Sequence, residues 1–323
     1  MSKYRVVIVN IGYPSFQTEK DILAPLDAAV VPAQFDCTTE DEVIAVARDA
    51  HAILIREAPI SRRVIDAMLQ CRAIVRYGVG IDNIDLEAAA AKRIYVANVP
   101  GYGTEEVSDH AIALLLACIR NLLHRDRSLR EGRFETDIDD QIFRTTGKIL
   151  GLIGYGQISQ AVHRKWKGFK PSRVLICDPF ADPQLIAANG GESVDLEVLL
   201  TESDYVSLHA PLTDETRYII DAIALGRMKA TTILINTARG ELINEAALVE
   251  ALTHNQILAA GLDVFESEPI PLGHPLAGFP NVVLTSHVGW YSKNSVRELQ
   301  TRAAHEVRRI LSGVKPENWV NPW

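Results

Sequence analysis

The stretch KILGLIGYGQIS, residues 148–159, decides the fold class of this chain of 323 residues. A short apolar run typical of a strand leads into the pattern Gly154-x-Gly156-x-x-Ser159, and a helix pattern follows. Gly154 allows a tight turn, and Gly156 lets backbone N–H groups approach a pyrophosphate at the positive end of the helix dipole. The segment is typical of a dinucleotide-binding turn, although an accidental glycine turn also fits so degenerate a pattern.

The next predicted strand supports the dinucleotide interpretation. It ends at Asp178, 22 residues after Gly156, where a carboxylate that hydrogen-bonds a ribose diol is expected. This charge repels a 2′-phosphate, and Pro179-Phe180 bring no cation to bind one, so the pattern favours NAD over NADP. The alternative is an Asp that merely starts a turn before proline.

Parallel α/β patterning extends in both directions from this turn. Five β-branched runs alternate with helix patterns before residue 100: RVVIVNI (5–11), AAVVPAQF (28–35), AHAILIR (50–56), CRAIVRY (71–77) and RIYVANV (93–99). Six more runs follow: KILGLIG (148–154), RVLICDP (173–179), YVSLHAP (205–211), TTILINT (231–237), AAGLDVF (259–265) and NVVLTSH (281–287). We therefore expect an α/β protein with two doubly wound parallel-sheet domains.

Helix patterns place the domain boundaries. Thr39, Ser61 and Asp85 are predicted N-caps of helices that lie between the first five strands, and one long, largely buried helix is expected from Thr104 toward Arg130. The last helix, 292–312, follows the completed second sheet and ends at Gly313. Its apolar stripe consists of Val296, Leu299, Ala303, Val307, Ile310 and Leu311. We expect it to pack on the first domain, which gives domains of 1–100 plus 292–323 and of 101–291.

Composition and charge exclude several classes of protein. With 47% hydrophobic and 23% charged residues the chain is globular, and its net charge of −8 makes nucleic acid and anionic membranes improbable partners. The longest apolar run, Ala111 to Ile119, is too short to span a bilayer, and the N-terminus is typical of a first strand and not of a secretion signal. A cytoplasmic location follows as the default. The four cysteines are widely spaced, so neither a metal site nor a redox pair is expected.

Four polar side chains follow predicted strands of the second sheet: Arg239, Asp263, Glu268 and His287. Taken singly, each has a plain structural explanation, such as a solvated turn cation or a histidine bonded to backbone. Together they offer a cation, a carboxylate and an imidazole where parallel sheets place their ligands. That set suits reduction of a carbonyl next to a carboxylate by a dihydronicotinamide. Histidine is the proton donor, its adjacent carboxylate favours the imidazolium, and arginine binds the substrate carboxylate in two parallel hydrogen bonds.

Over essentially its whole length, the sequence resembles the D-isomer-specific 2-hydroxyacid dehydrogenase family. The resemblance rests on the glycine turn with Asp178 and on VRYGVGIDNID (75–85), NVPGYGTEEVSDHAIALLL (98–116), LHAPLTDETR (208–217), INTARGELINEAALVEAL (235–252), GLDVFESEP (261–269) and SHVG (286–289). The first two segments are most similar to the branch that contains the C-terminal-binding-protein corepressors and their bacterial enzyme relatives. A flavodoxin-like substrate domain and a Rossmann nucleotide domain, with a cleft between them, are implied by this resemblance.

The resemblance also implies residue roles. Arg239 binds the substrate carboxylate and keto oxygen, Glu268 orients and charges His287, and His287 exchanges the proton. Asp263 meets the nicotinamide amide, and the backbone of Val79 and Gly80 helps to hold the substrate carboxylate. The residues implied to contact NAD are Gly154, Gly156, Gln157, Ile158, Asp178, His209, Pro211, Thr216, Thr237, Ala238, Asp263, His287 and Gly289. A homodimer joined through the nucleotide domain is expected by the same analogy.

Some features depart from the family pattern or fit more than one role. Ser159 replaces the usual third glycine, and LIREAP (54–59) lacks the Arg-Ser-Arg-Thr type of segment of phosphoglycerate-specific members, which argues against phosphoglycerate as substrate. Arg56 is a candidate second cation for a polar substrate, or a solvated strand-end arginine. Asp109-His110 fit a capping or interface role better than a second acid/base pair.

Two classes of function stay open on the sequence alone. The first is an NAD-dependent reductase of a small 2-oxo acid that forms a D-2-hydroxy acid. The second is a dimeric, NADH-sensing binding module of the corepressor type, and fold analogy does not separate the two. The short segment after Pro316 favours the metabolic enzyme.

Overall fold

A computed structural model describes residues 2–134 and 141–323. The chain divides into two compact units. The first unit comprises the residues up to Gly103 together with those from Ser292 onward, and the second runs from Thr104 to Tyr291. Each unit contains one parallel β-sheet, so the predicted α/β fold class with two sheets is confirmed.

The first unit begins with β1 (Tyr4–Ile8), α1 (Gln17–Leu23), β2 (Ala28–Pro32), α2 (Glu40–Ala47), β3 (Ala52–Ile55), α3 (Arg62–Ala67), β4 (Ala73–Arg76), α4 (Leu86–Ala91) and β5 (Tyr95–Ala97). Its strands lie in the order β2-β1-β3-β4-β5, which is the flavodoxin-like order. Every residue of β3 is buried, as expected of a central parallel strand whose two faces are both covered by helices.

All three predicted N-cap residues of this unit occupy N-cap positions, and two of them make the capping hydrogen bond. Thr39 and Glu42 make a reciprocal capping box on α2, and the carboxylate of Asp85 accepts the N–H of Ala88 at 2.8 Å. Ser61 is the N-cap of α3, but its side chain makes no hydrogen bond to the helix.

The second unit contains α5 (Thr104–Ile119), α6 (Leu122–Arg130), β6 (Ile149–Ile153), α7 (Gln157–Trp166), β7 (Arg173–Cys177), α8 (Pro183–Ala188), β8 (Glu192–Ser193), α9 (Leu196–Glu202), β9 (Tyr205–Leu208), α10 (Ala222–Arg227), β10 (Ile233–Asn236), α11 (Glu245–Thr253), β11 (Ala259–Leu262) and β12 (Val282–Leu284). The strand order is β12-β11-β10-β9-β6-β7-β8. All strands of this sheet are parallel, but β7 and β8 lie on one side of β6 and β9 to β12 on the other. The junction of β6 and β9 is therefore a topological switch point, where doubly wound sheets bind ligands.

Two sequence predictions for this unit were wrong. Its sheet has seven strands among the described residues, not six, because the exposed two-residue strand β8 carries no hydrophobic pattern. The single helix expected from Thr104 to Arg130 is broken into α5 and α6 at Asn121. The backbone of Asn121 adopts a left-handed conformation with φ of 50°, which an α-helix cannot contain.

The chain returns to the first unit with α12 (Lys293–Leu311), which contacts α1 and β4. Ser292 caps its N-terminus, and Gly313 follows its C-terminus with φ of 82°. The predicted apolar stripe is buried from Leu299 onward, whereas Val296 is only half-buried. Among the helices of the described ranges, none combines the length and the apolar composition needed to cross a bilayer.

Candidate active site

The glycine-rich turn connects β6 to α7. Gly154 has φ of 86°, and a Cβ on it would lie 2.7 Å from the backbone nitrogen of Ala210, so only glycine fits. A Cβ on Gly156 would meet open space. Gly156 is the N-cap of α7, and no side chain of the described residues caps this helix, which leaves its first N–H groups available to an anion.

Asp178 follows β7 and is fixed beside this turn. Its Oδ2 atom accepts the N–H of Tyr155 at 2.7 Å, and its Oδ1 atom accepts the N–H of Phe180 at 2.8 Å. Each carboxylate oxygen keeps a second lone pair, so Asp178 can still accept hydrogen bonds from a diol.

These residues fit a dinucleotide. The uncapped start of α7, with open space at Gly156, suits a pyrophosphate, and the fixed carboxylate of Asp178 suits the adjacent ribose. Further along the sheet, the hydroxyl of Thr237 is buried without a hydrogen-bond partner among the described residues, and a bound molecule would relieve that cost. At the first turn of α7, directly after Gly156, Gln157 is exposed and Ile158 is half-buried.

The loop after β9 lies against the glycine turn. His209 donates its backbone N–H to the carbonyl of Ile153 at 2.7 Å, and its Nε2 atom lies 2.9 Å from the hydroxyl of Ser207. Burial lowers the pKa of His209 to about 4, so the ring is neutral near pH 7. Thr216 closes the loop by donating its hydroxyl to the carbonyl of Pro211 at 2.6 Å.

The loop after β10 presents Arg239. The buried side chain of Asn236 bonds the carbonyl of Arg239 at 2.8 Å and the N–H of Ala238 at 3.0 Å, and this fixes the backbone that carries the arginine. A Cβ on Gly240 would lie 1.9 Å from the carbonyl carbon of Phe265. The absence of a side chain at residue 240 therefore brings the Arg239 loop against the segment that leads to Glu268.

Glu268 and His287 form a direct pair. Their Oε2 and Nδ1 atoms are 2.7 Å apart, and each side chain is 34% exposed. Burial raises the pKa of Glu268, but the hydrogen bond and charge of His287 and the N–H of Phe265 outweigh it, so the pKa lies below its usual range. Because Nδ1 is held by an ionised carboxylate, Nε2 is the ring nitrogen left to exchange a proton.

Asp263 is almost fully buried and holds the loop that carries His287. Its carboxylate accepts the N–H of Val288 at 3.0 Å and that of Gly289 at 2.8 Å, and its backbone carbonyl accepts the N–H of His287 at 2.7 Å. Hydrogen bonds keep its pKa low despite burial, which on its own would raise it. Its expected contact with a nicotinamide amide stays a prediction.

Sequence reasoning missed two partners of Asp263. The hydroxyl of Thr285 donates to Asp263 at 2.6 Å, and Nε2 of His110 lies 2.9 Å from that hydroxyl. Of the capping or interface role expected for Asp109-His110, capping is not seen. Asp109 binds Lys165 of α7 and His110 contacts the loop after β12, and such contacts between elements fit the interface role. A lone threonine and a helix histidine give no motif by which to find them.

The substrate residues implied for the first unit lie at the carboxyl edge of its sheet. Val79 is exposed and Gly80 half-buried after β4, and the carbonyl of Val79 accepts a hydrogen bond from Asn98 at 2.7 Å. Arg56 follows β3 and pairs with Glu57 at 2.9 Å. How these residues contribute to substrate binding stays a prediction.

Two further residues at this edge were missed. Arg76 ends β4 beside β3, and a Cβ on Gly78 would collide with its guanidinium. Tyr13 is 7% exposed, its hydroxyl has no hydrogen-bond partner in the described part of the chain, and the guanidinium of Arg56 lies 5.9 Å from its ring centroid. The strand-end position of Arg76 was the available signal.

Comparison with known proteins places this chain in a family. Residues 112–289 match the model described as "D-isomer specific 2-hydroxyacid dehydrogenase, NAD binding domain". The chain is 38% identical over 305 residues to a glyoxylate reductase of Korarchaeum cryptofilum, covering 94% of this chain and 88% of the relative. It is 37% identical to a D-3-phosphoglycerate dehydrogenase of Methanocaldococcus jannaschii, covering 88% of this chain but spanning only 54% of that relative's length.

A solved structure extends the likeness to the whole fold. D-lactate dehydrogenase from Aquifex aeolicus, complexed with NAD and lactic acid, superposes with a TM-score of 0.85 at 26% identity, covering 96% of each chain. The chain therefore belongs to the D-isomer-specific 2-hydroxyacid dehydrogenase family, as its resemblance indicates. The predicted class, an NAD-dependent oxidoreductase of 2-oxo and 2-hydroxy acids, is confirmed, and the corepressor alternative is not favoured.

The described part of the chain contains no cluster of potential metal ligands. Within residues 2–134 and 141–323, no group of three or more His, Cys, Asp or Glu side chains could hold a metal ion. The four cysteines are free thiols.

Proposed function

We propose that this protein reduces a small 2-oxo acid, with glyoxylate and hydroxypyruvate as first candidates, to the D-2-hydroxy acid by using NADH. The observation that carries the proposal is the 2.7 Å pair of Glu268 and His287, which joins two loops at the carboxyl edge of the nucleotide-binding sheet. The glyoxylate reductase of Korarchaeum cryptofilum supports the size of the substrate.

His287 is the proposed acid/base. Bound NAD(H) supplies or accepts the hydride at C2 of the substrate. In reduction, Nε2 of the imidazolium gives its proton to the carbonyl oxygen, which becomes the hydroxyl. Glu268 holds Nδ1 throughout and stabilises the charged ring before the transfer. In oxidation, the neutral ring takes the hydroxyl proton at the same nitrogen.

Arg239 is the proposed ligand of the substrate carboxylate and of the oxygen on C2. Its planar guanidinium can donate two parallel hydrogen bonds to the carboxylate and also polarise the carbonyl. The backbone of Val79 and Gly80 and the side chain of Arg56 are proposed to bind the substrate as well. The positive charges of Arg239 and Arg56 locally offset the protein's net charge of −8, which would otherwise repel an anionic substrate.

We assign NAD contacts to the residues that the resemblance implies, with Gly156, Gln157 and Ile158 at the pyrophosphate and Asp178 at the ribose. Asp178 carries the preference for NADH, because its carboxylate would repel a 2′-phosphate. His209, Pro211, Thr216, Thr237, Ala238, Asp263 and Gly289 are proposed to line the rest of the cofactor site.

The test is oxidation of NADH and of NADPH, in parallel, against a panel of 2-oxo acids that includes glyoxylate, hydroxypyruvate, pyruvate and oxaloacetate. We expect kcat/KM to be highest for a small acid and at least tenfold higher with NADH than with NADPH. No turnover with any acid would refute the substrate class. Equal rates with both nucleotides would refute the role of Asp178.

We further propose a cytoplasmic homodimer that binds neither nucleic acid nor membranes. The acidic net charge supports the last two points. Leu122 and Leu129 of α6 are 59% and 58% exposed, which supports an apolar contact between two copies of the second unit.

A further inference from the structure

The segment Thr285–Gly289, called here the histidine loop, holds His287 in an unusual backbone conformation. His287 has φ of 54°, a left-handed value that is unfavourable for a non-glycine residue. Such a conformation persists only where the surrounding contacts enforce it. The position of the proposed proton donor therefore depends on what holds the histidine loop.

Asp263 supplies most of these contacts. Its Oδ1 atom accepts the hydroxyl of Thr285 at 2.6 Å and the N–H of Val288 at 3.0 Å, and its Oδ2 atom accepts the N–H of Gly289 at 2.8 Å. The backbone carbonyl of Asp263 accepts the N–H of His287 at 2.7 Å. One buried residue thus contacts the loop at four of its five positions.

His110 completes this arrangement from α5. Its Nε2 atom lies 2.9 Å from the hydroxyl oxygen of Thr285 and 3.3 Å from Oδ1 of Asp263. Thr285 has one hydroxyl hydrogen, which it gives to Asp263, so the hydrogen between Thr285 and His110 must sit on Nε2. His110 is therefore the donor in this contact. The hydroxyl of Thr285 accepts a hydrogen bond from His110 and donates one to Asp263.

The loop closely approaches both residues. A Cβ on Gly289 would lie 2.9 Å from Oδ2 of Asp263 and 3.2 Å from the His110 ring. The histidine loop is therefore packed directly on the ring of His110 as well as hydrogen-bonded beneath it.

We propose that His110 is a positioning residue for the acid/base His287, acting through Thr285 and Asp263. The inference rests on the proposed role of His287. His110 donates to the atoms that keep the histidine loop in its left-handed conformation, and it takes no proton from the substrate. Loss of its N–H would leave the Thr285 hydroxyl held by Asp263 alone, and this would make the position of Nε2 of His287 relative to the carbonyl oxygen less precise.

The test compares His110→Leu, which removes the donor, with His110→Gln, whose amide nitrogen can replace Nε2. We expect His110→Leu to lower kcat for 2-oxo acid reduction about tenfold or more, since small displacements of catalytic groups cost up to about 100-fold. NADH affinity should change less than about twofold. The solvent deuterium isotope effect on kcat should rise, because proton transfer from a misplaced ring becomes rate-limiting. His110→Gln should recover kcat to within about threefold of the wild type.

Two controls separate positioning from general damage. Asp109→Asn lies on the same helix turn but faces Lys165, and it should leave kcat and the isotope effect unchanged. Thr285→Val removes the bridging hydroxyl, should reproduce the effect of His110→Leu, and decides the matter if His110→Leu does not fold. The double variant should be no slower than the slower single one, because both break the same chain of contacts.

Wild-type kcat and isotope effect in His110→Leu or in Thr285→Val would overturn the proposal, as would failure of glutamine to rescue. His287→Ala serves as the reference variant. If His287→Ala keeps its turnover, the proposed role of His287 fails. If His287→Ala is inactive while His110→Leu is unaffected, only the positioning role fails.

Discussion

At the residue scale, the carboxylate of Glu268 lies 2.7 Å from Nδ1 of His287, so its charge acts directly on the ring that moves the proton. Glu268→Gln keeps the shape of the side chain and removes that charge. The imidazolium then loses its stabilising partner, so we expect kcat for reduction to fall about 100-fold while NADH affinity stays within about twofold. Initial rates of NADH oxidation and NADH titration measure both effects. An unchanged kcat would exclude the charge coupling.

Because the pKa of Glu268 lies below its usual range, protonation of Glu268 does not change kcat/KM for reduction near neutral pH. As the pH falls, its carboxylate stays ionised to lower pH than a free glutamate. An acid limb of kcat/KM near pH 5 that persists in Glu268→Gln would therefore belong to another group.

Arg239 offers a second prediction at this scale. Arg239→Lys keeps one positive charge but loses the planar pair of donors, so the KM for the 2-oxo acid should rise about 10- to 100-fold. NADH affinity, measured by fluorescence titration, should stay within about twofold. A variant that loses NADH and keeps its KM would place Arg239 at the cofactor instead of the substrate.

Sequence reasoning reached Arg239, Glu268 and His287 because each follows a predicted strand and carries a reactive group. It reached Glu268 and His287 as partners only through chemistry, since they are separated by 18 residues in the chain. Sequence patterns did not predict that Thr285 and His110 are partners of Asp263. Their importance comes from a hydrogen bond across 175 positions, which no local pattern encodes.

At the element scale, the turn between β6 and α7 makes two glycines act differently. Gly154→Ala forces a Cβ to within 2.7 Å of backbone and a side chain into a left-handed φ, so we expect unfolding free energy to fall by more than about 2 kcal/mol. Gly156→Ala meets open space and should leave the stability of the apoprotein unchanged while weakening NADH binding. Urea unfolding and NADH titration of both variants check this. Equal destabilisation by the two would contradict the assigned geometry.

Helix α7 also makes stability depend on pH. His163 is 1% exposed, its Nδ1 atom lies 2.9 Å from the hydroxyl of Tyr155, and burial lowers its pKa to about 4. Below its ordinary pKa near 6.5 the unfolded chain binds a proton that the folded chain refuses, so stability falls as pH drops from 6.5 toward 4. At pH 4.5 this contribution is about 2 kcal/mol relative to pH 7.

The matched variant for this pH effect is His163→Asn, which keeps a polar group near Tyr155 but has no titrating ring. Urea unfolding at several pH values should show a shallower loss of stability between pH 6.5 and 4.5 than in the wild type. His209, whose pKa is also lowered to about 4, keeps part of the slope. An identical slope in both proteins would show that folding does not change the pKa of His163.

Patterns predicted the elements unevenly. β3 is a continuous apolar run and β10 begins with one, because both faces of a central parallel strand are buried, and such runs are easily recognised. β8 has two exposed residues and no such run. The break between α5 and α6 was missed because Asn121 looks like any polar helix residue until its φ of 50° is seen.

At the scale of the whole molecule, the exposed leucines of α6 predict the state of assembly. We expect light scattering with size-exclusion chromatography to give twice the chain mass of 35.6 kDa. The double variant Leu122→Ser/Leu129→Ser should give the single-chain mass, because its apolar contact is removed. Leu69→Ser is the control, since Leu69 is 67% exposed but lies in the first unit. A dimeric double variant would place the interface elsewhere.

The order of strands in each unit follows from rules that sequence can address. Repeated strand-helix patterns imply parallel sheets. The glycine turn follows β6, the strand that has β7 on one side and β9 on the other. The residues of the first unit that were missed are placed by long-range contacts. Arg76 lies opposite Ile55 in the register of β3 on β4, and the ring of Tyr13 lies near the guanidinium of Arg56. Sequence patterns predict the fold much better than they predict such local clusters of side chains.

The variant His287→Ala decides whether His287 passes the proton. The variant and the wild type would be compared in NADH oxidation with the best 2-oxo acid of the panel and in NADH titration. We predict that kcat falls by about 10²- to 10⁴-fold while NADH affinity stays within about twofold. Rapid reduction of the 2-oxo acid by the variant would contradict the account.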